Sequence, residues 1–189
     1  MSTGKLDGKR IAILLTSGFE QVEMEKPRTA LHAEGANTTL ISPAKGTVQG
    51  MNHDEKGEAF AVDMAIGTAR ADDFDAVLLP GGVVNADKLR MDQDAQRFVQ
   101  AMDWAGKPVA AICHGPWLLI SAGLARGRHL TSYYTLQDDI RNAGGKWTDE
   151  ELVADRNWIS SRTPDDIPAF NTALIRLISH HHHAHTARP

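Results

Sequence analysis

Several features that would assign this chain to a special class of protein are missing from its sequence. The 189 residues contain one cysteine, Cys113, which excludes an internal disulfide and fits a reducing compartment. The 20 Lys and Arg residues are outnumbered by 24 Asp and Glu, so the net charge attracts neither nucleic acid nor an anionic membrane. No apolar run approaches the ~20 residues that cross a bilayer, and the opening MSTGKLDGKR lacks the apolar core of a signal peptide. These absences predict a soluble, cytoplasmic protein.

Motifs for nucleotide, metal and nucleic-acid binding are also absent. The chain has no GxGxxG or Walker A sequence and no basic stripe. His32, His53 and His129 have no neighbours at the spacing of metal ligands. We therefore expect no cofactor, no metal and no nucleic-acid-binding patch.

Strand and helix patterns alternate along the chain without an internal repeat or a linker. The runs RIAILLT, DAVLLP and KPVAAIC are continuously apolar, which is typical of strands buried on both faces. NTTLISP predicts a further strand. Helical patterns occur in VEMEKPRTALHAEG, DQDAQRFVQAMDWAG, LQDDIRNAGG and PDDIPAFNTALIRLI. This alternation predicts one α/β domain with a mostly parallel central sheet and helices on both faces.

Two stretches depart from this alternation, and one helical pattern contains a proline. GTVQGMNHDEKGEAFAVDM is rich in glycine and polar residues and predicts a small antiparallel excursion. KWTDEELVADRNWISSR predicts a hairpin late in the chain. Pro27 lies inside the first helical pattern and is expected to interrupt that helix.

The domain is assigned to residues 1–179, and residues 180–189 are treated as a separate His-rich tail. The segment SHHHHAHTARP carries five histidines after the last helical pattern. Imidazoles can hold zinc or nickel, but nothing in this tail can pack or orient such ligands. We expect a disordered, solvated tail or a remnant of an expression vector, with no part in the fold or the mechanism.

Cys113 stands at the junction of a strand and a helix, in the segment AICHGP. Gly115 helps to form the turn, and Pro116 suits the first helical turn, where its missing N–H costs nothing. A sharp strand–turn–helix of this kind is a nucleophile elbow, which pushes one side chain out above the sheet and strains its backbone. The helix dipole favours thiolate, so we expect the pKa of Cys113 to lie below its ordinary value. The alternative is an inert cysteine packed in the core.

Six segments, in this order, resemble one protein family: GFEQVE, LPGG, AICHGP, GRHLTSYYTLQDD, AGGKW and NWISSRTPDD. They are similar to the PfpI family of intracellular cysteine peptidases and deglycases, over about residues 9–179. That family shares its fold with class I glutamine amidotransferases and with the parkinsonism-associated deglycase. The resemblance implies a flavodoxin-like, three-layer α/β sandwich that forms a homodimer or a dimer-built higher oligomer.

The resemblance also implies a catalytic group built around the cysteine. Cys113 matches the family nucleophile, and His114 matches the histidine beside it. Because adjacent side chains in a turn diverge, we expect an acid from elsewhere to orient His114. The matching acid is Asp87 of the partner subunit, at a position where the family often has the longer glutamate. A helix N-cap is the alternative role for Asp87.

Two glutamates in the segment GFEQVE are further candidates. Glu23 matches the carboxylic acid that hydrogen-bonds the nucleophilic sulfur in relatives. Burial and like-charge repulsion would keep this carboxyl protonated, so that it donates to the sulfur. Glu20 is expected to support it in the pocket, and its alternative role is to interact with the dipole of the first helical turn.

Backbone donors and one aromatic residue complete the expected site. Gly81, Gly82 and His114 are expected to present N–H groups to a developing oxyanion. A tight turn would equally explain the two glycines. Tyr133 matches a family tyrosine near the pocket, and a buried core tyrosine is the alternative.

Ser160, Ser161 and Arg162 occupy the region where amidotransferase domains of this fold place a histidine and a glutamate, so a glutaminase triad is excluded. The remaining prediction is a cysteine hydrolase of stress protection. Thiolate attack on a carbonyl, proton transfer and water addition would act on glyoxal or methylglyoxal, on their adducts with proteins or nucleotides, or on small peptides. A shallow pocket suits small carbonyl compounds better than long peptides. The alternative is a non-catalytic oxidative-stress protein with Cys113 as a redox sensor, or with chaperone-like holding activity.

Overall fold

A computed structural model describes residues 4–181 of the chain. The last helix ends at His180, and the expectations for the His-rich tail beyond His181 lie outside the described residues. No helix within the described range is both long enough and apolar enough to cross a membrane.

Twelve strands and six α-helices occur within residues 4–181. The strands are β1 Arg10–Leu14, β2 Phe19–Glu20, β3 Asn37–Ser42, β4 Thr47–Asn52, β5 Glu55–Ala61, β6 Met64–Ala65, β7 Ala76–Leu79, β8 Val109–Ile112, β9 His129–Leu130, β10 Lys146–Trp147, β11 Val153–Asp155 and β12 Trp158–Ser161. The helices are α1 Gln21–Ala33, α2 Val83–Leu89, α3 Gln93–Trp104, α4 Pro116–Ser121, α5 Gln137–Asn142 and α6 Ile167–His180.

Seven strands form the central sheet, in the order β11-β12-β8-β7-β1-β3-β6. Every neighbouring pair is parallel except β11 with β12 at one edge. The carboxyl ends of β1, β7, β8 and β12 therefore meet at one edge of the sheet, which is where ligands bind in folds of this kind. The mostly parallel sheet expected from the sequence is confirmed.

Helices cover both faces of this sheet. Successive strand side chains point to opposite faces, and in β1 Ala12 and Leu14 enter one hydrophobic cluster while Ile11 and Ile13 enter the other. The first cluster includes Phe98 of α3 and residues of α4, and the second includes residues of α1 and α6. Each large apolar side chain buried in this way contributes about 1.5–3 kcal/mol. The three-layer α/β sandwich is confirmed.

Three local predictions have different outcomes. The antiparallel excursion is confirmed, because β4 and β5 pair antiparallel and β2 joins them as a third strand. The late hairpin is correct for β11 and β12, whereas β10 pairs in parallel with β9 instead. The expected interruption at Pro27 is wrong, since α1 continues from Gln21 to Ala33 through this buried proline. Packing of Met24 and Leu31 on the core keeps the helix continuous despite one missing N–H.

Candidate active site

Cys113 lies in the turn between the end of β8 and the start of α4. Its φ is 61°, in the left-handed region that side chains other than glycine rarely adopt. Pro116 is the first residue of α4, as expected. A Cβ on Gly115 would collide with the carbonyl oxygen of Leu79 in β7, so the turn needs glycine at this position. The strained elbow predicted from AICHGP is confirmed.

Main-chain hydrogen bonds hold the elbow on both sides. The N–H of Cys113 donates to the carbonyl of Ser161, which extends the pairing of β8 with β12 (3.0 Å). The carbonyl of Cys113 accepts from the N–H of Tyr133 (2.8 Å). These bonds hold Cys113 in the left-handed conformation, which costs about 1–2 kcal/mol for a residue other than glycine.

The His114 ring folds back over the sulfur. Its Nδ1 lies 3.2 Å from Sγ of Cys113, so the expectation that the two side chains diverge is wrong. The ring stacks on Tyr133, with centroids 4.6 Å apart and planes inclined by 26°. This stacking accounts for the ring orientation and places Tyr133 at the site. Burial lowers the pKa of His114 to about 4, so the imidazole is neutral at pH 7.

Glu23 extends from the first turn of α1 and is fully buried beside the thiol. Its Oε2 accepts the N–H of Gly81 at 2.8 Å, while Oε1 has no hydrogen-bond partner among the described residues. Burial raises the pKa of Glu23 to about 8, and the nearby charge of Glu20 contributes to the increase. The expectation that Glu23 is protonated at neutral pH is therefore supported by its surroundings.

The environment of the Cys113 thiol favours ionisation less than the sequence indicated. Cys113 is 8% exposed. Burial raises the pKa of the Cys113 thiol, and negative charge on Glu23 raises it further. Backbone N–H groups of Gly82 and His114 act in the opposite direction. Burial dominates, so the expectation of a thiol pKa below its ordinary value is wrong for the isolated chain.

The two glycines after β7 have different roles. The N–H of Gly81 is engaged by Glu23 and is not directed at an incoming oxygen. The N–H of Gly82 interacts with the sulfur together with that of His114. Gly82 also has a φ of 88°, and a Cβ there would lie 2.7 Å from the backbone nitrogen of Glu20. The backbone donors near the sulfur are therefore Gly82 and His114, without Gly81.

A cleft of about 680 Å³ opens above the sulfur. Its lining residues come from the segments that follow β1, β7, β8 and β12, from the segment after β9, and from the end of β4 with the β4–β5 turn. They are Gly18, Glu20, Glu23, Met51, His53, Asp54, Gly82, Val83, Val84, Cys113, His114, Tyr133, Thr163, Pro164 and Asp165. No group of three or more His, Cys, Asp or Glu residues within residues 4–181 is arranged to hold a metal ion.

Glu20 joins two walls of this cleft. It is the residue before α1, and its side chain makes no capping hydrogen bond to that helix. Instead its carboxylate accepts the backbone N–H of His53 in the β4–β5 turn, with Oε2 at 3.1 Å. The structure thus places Glu20 in the pocket, where it positions the turn that carries His53.

Asp87 does not reach this cleft within its own chain. It lies inside α2 and is exposed, and it is not among the lining residues. The residue before α2 is Gly82, so the alternative role of Asp87 as a helix N-cap is wrong. A contribution of Asp87 to the site of a partner subunit stays a prediction.

Sequence reasoning missed two walls of the cleft. Met51 of β4 and His53 and Asp54 of the β4–β5 turn reach the site through long-range pairing of β2 with β4. Thr163 and Asp165 directly follow β12, the strand next to β8. Their position after a strand of the same parallel sheet was a usable signal, whereas the β4–β5 turn had none.

Comparisons with known proteins found relatives along most of the chain. Deglycase PfpI of Pyrococcus furiosus is 40% identical over 169 residues, which cover 89% of this chain and 99% of that protein. Protein/nucleic acid deglycase 2 of Escherichia coli is 43% identical over 173 residues, covering 90% and 98%. A crystal structure from Anabaena variabilis, a two-domain protein with DJ-1/ThiJ/PfpI-like and ferritin-like domains, superposes with a TM-score of 0.83 at 36% identity. The alignment covers 89% of this chain and 47% of that one.

The family resemblance found in the sequence is confirmed by a match along almost the whole chain. A sequence model described as DJ-1/PfpI family matches residues 9–177. This range includes the elbow, both glutamates and every wall of the cleft. The chain therefore belongs to the DJ-1/PfpI family.

Proposed function

We propose that this protein is a cysteine-dependent deglycase of stress protection, which hydrolyses glyoxal and methylglyoxal adducts of amino groups. The observation that carries the proposal is the Cys113 sulfur at the base of the cleft, with Nδ1 of His114 at 3.2 Å and the unpartnered Oε1 of Glu23 in the same cleft. Relatives named deglycases at 40–43% identity support the reaction class. A cleft of about 680 Å³ suits a small adduct better than a long peptide.

The first chemical step uses the ionised form of Glu23 as the base, which is the minor form at pH 7 because burial raises its pKa to about 8. An aminocarbinol adduct has the form R–NH–CH(OH)–CO–CH₃. As Sγ of Cys113 bonds to the aminocarbinol carbon, the thiol proton passes to the Glu23 carboxylate and the C–N bond breaks. The same proton then goes to the departing nitrogen, which leaves as R–NH₂. A base with a pKa of about 8 is well matched to neutral pH, and this route needs no preformed thiolate.

The second half of the reaction frees the enzyme. A proton shift from the sulfur-bound carbon to the neighbouring ketone converts the hemithioacetal into a lactoyl thioester, in which one carbon is oxidised and its neighbour is reduced. Water then cleaves the C–S bond and releases lactate and the thiol. The backbone N–H groups of Gly82 and His114 would stabilise the oxyanions of both steps. The balance closes without an external oxidant or reductant.

His114 is proposed to carry the proton between the two carbons. With a pKa of about 4 it is a weak base in the isolated chain. An acid contributed by a second subunit would raise this pKa by charge interaction, and Asp87 is the residue proposed for that role. The active form is accordingly proposed to be a homodimer or a larger oligomer built from dimers.

The test uses the methylglyoxal adduct of N-acetylarginine amide. Parent protein should release N-acetylarginine amide and lactate in equal amounts. This release should be faster than the consumption of methylglyoxal in a control that contains only free methylglyoxal, at the concentration found free in the adduct sample. Cys113→Ala and Cys113→Ser should lose at least about 100-fold in kcat/KM. Activity that persists in both variants would overturn the proposal. Peroxide resistance of cells that depends on Cys113 without adduct turnover would support the redox-sensor alternative instead.

A further inference from the structure

The charged side chains around the cleft carry one sign. Glu20, Asp54 and Asp165 contribute carboxylates, and we refer to these three residues as the mouth carboxylates. No Lys or Arg is among the residues that line the cleft. The buried Glu23 adds no charge while it is protonated, because its pKa is raised to about 8. The entrance to Cys113 therefore has a negative potential.

The mouth carboxylates lie on both sides of the nucleophile. Glu20 and Asp54 belong to the β1 side, through the β1–α1 loop and the β4–β5 turn, while Asp165 follows β12. The strand that ends at Cys113, β8, lies between β12 and β1 in the sheet. Asp54 and Asp165 are exposed and form no ion pair among the described residues. With no ion-pair partner within residues 4–181, these two charges act on the cleft.

An independent feature of the cleft floor also points to a ligand that forms hydrogen bonds. Oε1 of Glu23 is buried and has no hydrogen-bond partner among residues 4–181, although Glu23 lines the cleft. An unsatisfied buried oxygen costs about 1–3 kcal/mol. While Glu23 is protonated, its O–H can donate to an oxygen of a bound adduct, and the ionised carboxylate can accept an N–H of a guanidinium or amine.

The geometry points to cationic adducts as the substrate class, with Asp54 and Asp165 as the residues that determine this specificity. An arginine adduct keeps its guanidinium charge, so the mouth carboxylates concentrate it at the cleft. Adducts on nucleotides and hemithioacetals of acidic thiols carry negative charge and are repelled. This inference deepens the proposed deglycase function and rests on it for turnover, but the charge selectivity of the cleft can be measured without turnover.

The first experiment measures how charge affects access to Cys113. The thiol is modified with two methanethiosulfonate reagents of similar size, one with a trimethylammonium group and one with a sulfonate. Each rate is divided by the rate of the same reagent with 2-mercaptoethanol. The normalised cationic rate should exceed the anionic rate by about tenfold at low salt, and the ratio should fall as salt screens the field.

Matched variants assign the effect to the two aspartates. Asp54→Asn with Asp165→Asn should reduce the cationic-to-anionic ratio at least about threefold. Asp72→Asn with Asp138→Asn makes the same change in net charge at exposed positions outside the cleft lining and should leave the ratio unchanged. An equal ratio in the parent and the Asp54/Asp165 variant overturns the inference, as does an equal loss in both double variants.

The second experiment measures turnover. Adducts of N-acetylarginine amide, N-acetylcysteine amide and guanosine monophosphate provide a cationic, a neutral and an anionic substrate. The parent should prefer the cationic adduct over the anionic one by at least about tenfold in kcat/KM, mainly through KM. Cys113-dependent turnover with no charge preference overturns the inference and leaves the proposed function standing. Absence of all turnover, with charge-selective modification of Cys113, overturns the proposed function and supports the selective cleft.

Discussion

The backbone N–H of Gly81 donates to Oε2 of Glu23 at 2.8 Å and holds the carboxyl against Cys113. The bond satisfies one carboxyl oxygen, while Oε1 is buried with no hydrogen-bond partner in the described part of the chain. A Cβ on Gly81 would lie 2.6 Å from Cβ of Cys113, so only glycine allows this approach. Three elements, α1, the β7–α2 loop and the β8–α4 turn, thus meet around one ionisable pair.

This pair predicts how thiol reactivity depends on pH. The Cys113 thiol and the Glu23 carboxyl titrate as a coupled pair, so loss of the first proton is a property of both groups together. The pKa of about 8 for Glu23 places this first loss near pH 8. Iodoacetamide labelling of the parent should therefore rise with pH with a midpoint of about 8. In Glu23→Gln the base is lost while burial of the thiol remains, so the midpoint should move upward by at least about one unit.

Labelling of unfolded protein in urea provides the control, since both proteins should then show the ordinary thiol value of about 8.5. A Glu23→Gln midpoint at or below that of the parent would show that a neutral side chain is enough to stabilise the thiolate. In that case Glu23 acts as a hydrogen-bond donor, and its proposed role as a base is wrong.

The same carboxyl predicts a loss of stability as pH rises. Between pH 6.5 and 8 the folded chain keeps a proton on Glu23, whereas the unfolded chain, with a pKa of 4.5, has lost it. Stability therefore falls with pH, by about 2 kcal/mol over this interval. His114 acts in the opposite sense, because its folded pKa of about 4 lies below its ordinary value of 6.5, but only about 0.4 kcal/mol of this rise in stability remains above pH 6.5.

The measurement is urea unfolding at a fixed protein concentration, at about pH 6.5, 7.3 and 8.0, which covers the interval in which Glu23 lowers the stability. The free energy of unfolding should decline in the parent and stay nearly flat in Glu23→Gln. Parallel curves for the two proteins would mean that Glu23 is not protonated in the folded state. Other ionisable groups are common to both proteins and cancel in the comparison.

The backbone strain at Cys113 gives a prediction with an unusual sign. Glycine in place of alanine normally destabilises a buried strand or helix by about 0.5–1 kcal/mol. At Cys113, with a φ of 61°, glycine relieves a left-handed strain of about 1–2 kcal/mol. Cys113→Gly should therefore be at least as stable as Cys113→Ala. Ala111→Gly, in the adjacent strand β8, is the control and should lose stability by thermal or urea unfolding.

The residues of the elbow could be placed from the sequence alone. Features that depend on contacts between distant parts of the chain could not. The residue types of Cys113, Gly115 and Pro116 are typical of a strand–turn–helix elbow, so this turn could be placed from the sequence. The direction of the His114 ring depends on stacking with Tyr133, 19 positions later. The pairing of β9 with β10 involves only two residues in each strand, which is too short for a periodic pattern.

The pKa values illustrate the same limit. The signs for Glu23 and Cys113 depend on burial, because desolvation is the largest influence on both groups. A helix dipole can be inferred from AICHGP, but the depth of the sulfur in the cleft cannot. The local signal favoured an acidic thiol, and the tertiary packing reversed that direction.

The last prediction concerns the subunit origin of the acid that orients His114. Asp87 lies on the exposed surface of α2 and is not part of the lining of its own cleft, so the proposed role requires a second chain. A two-fold interface would build two equivalent sites, each with Cys113 and His114 from one chain and Asp87 from the other. Cys113→Ala and Asp87→Ala proteins should each be weakly active or inactive alone.

Mixing these two proteins and allowing subunits to exchange should restore activity. In a heterodimer one site combines intact Cys113 and His114 with intact Asp87 of the partner subunit, and the other site lacks both Cys113 and Asp87. With random exchange of equal amounts, half of the dimers are mixed, so activity should reach about a quarter of the parent value. Mixing Cys113→Ala with Glu23→Gln is the control and should restore no activity, because Glu23 and Cys113 act within one chain. An Asp87→Ala protein with unchanged kcat/KM, or a fully active monomer by sedimentation, would contradict the shared site.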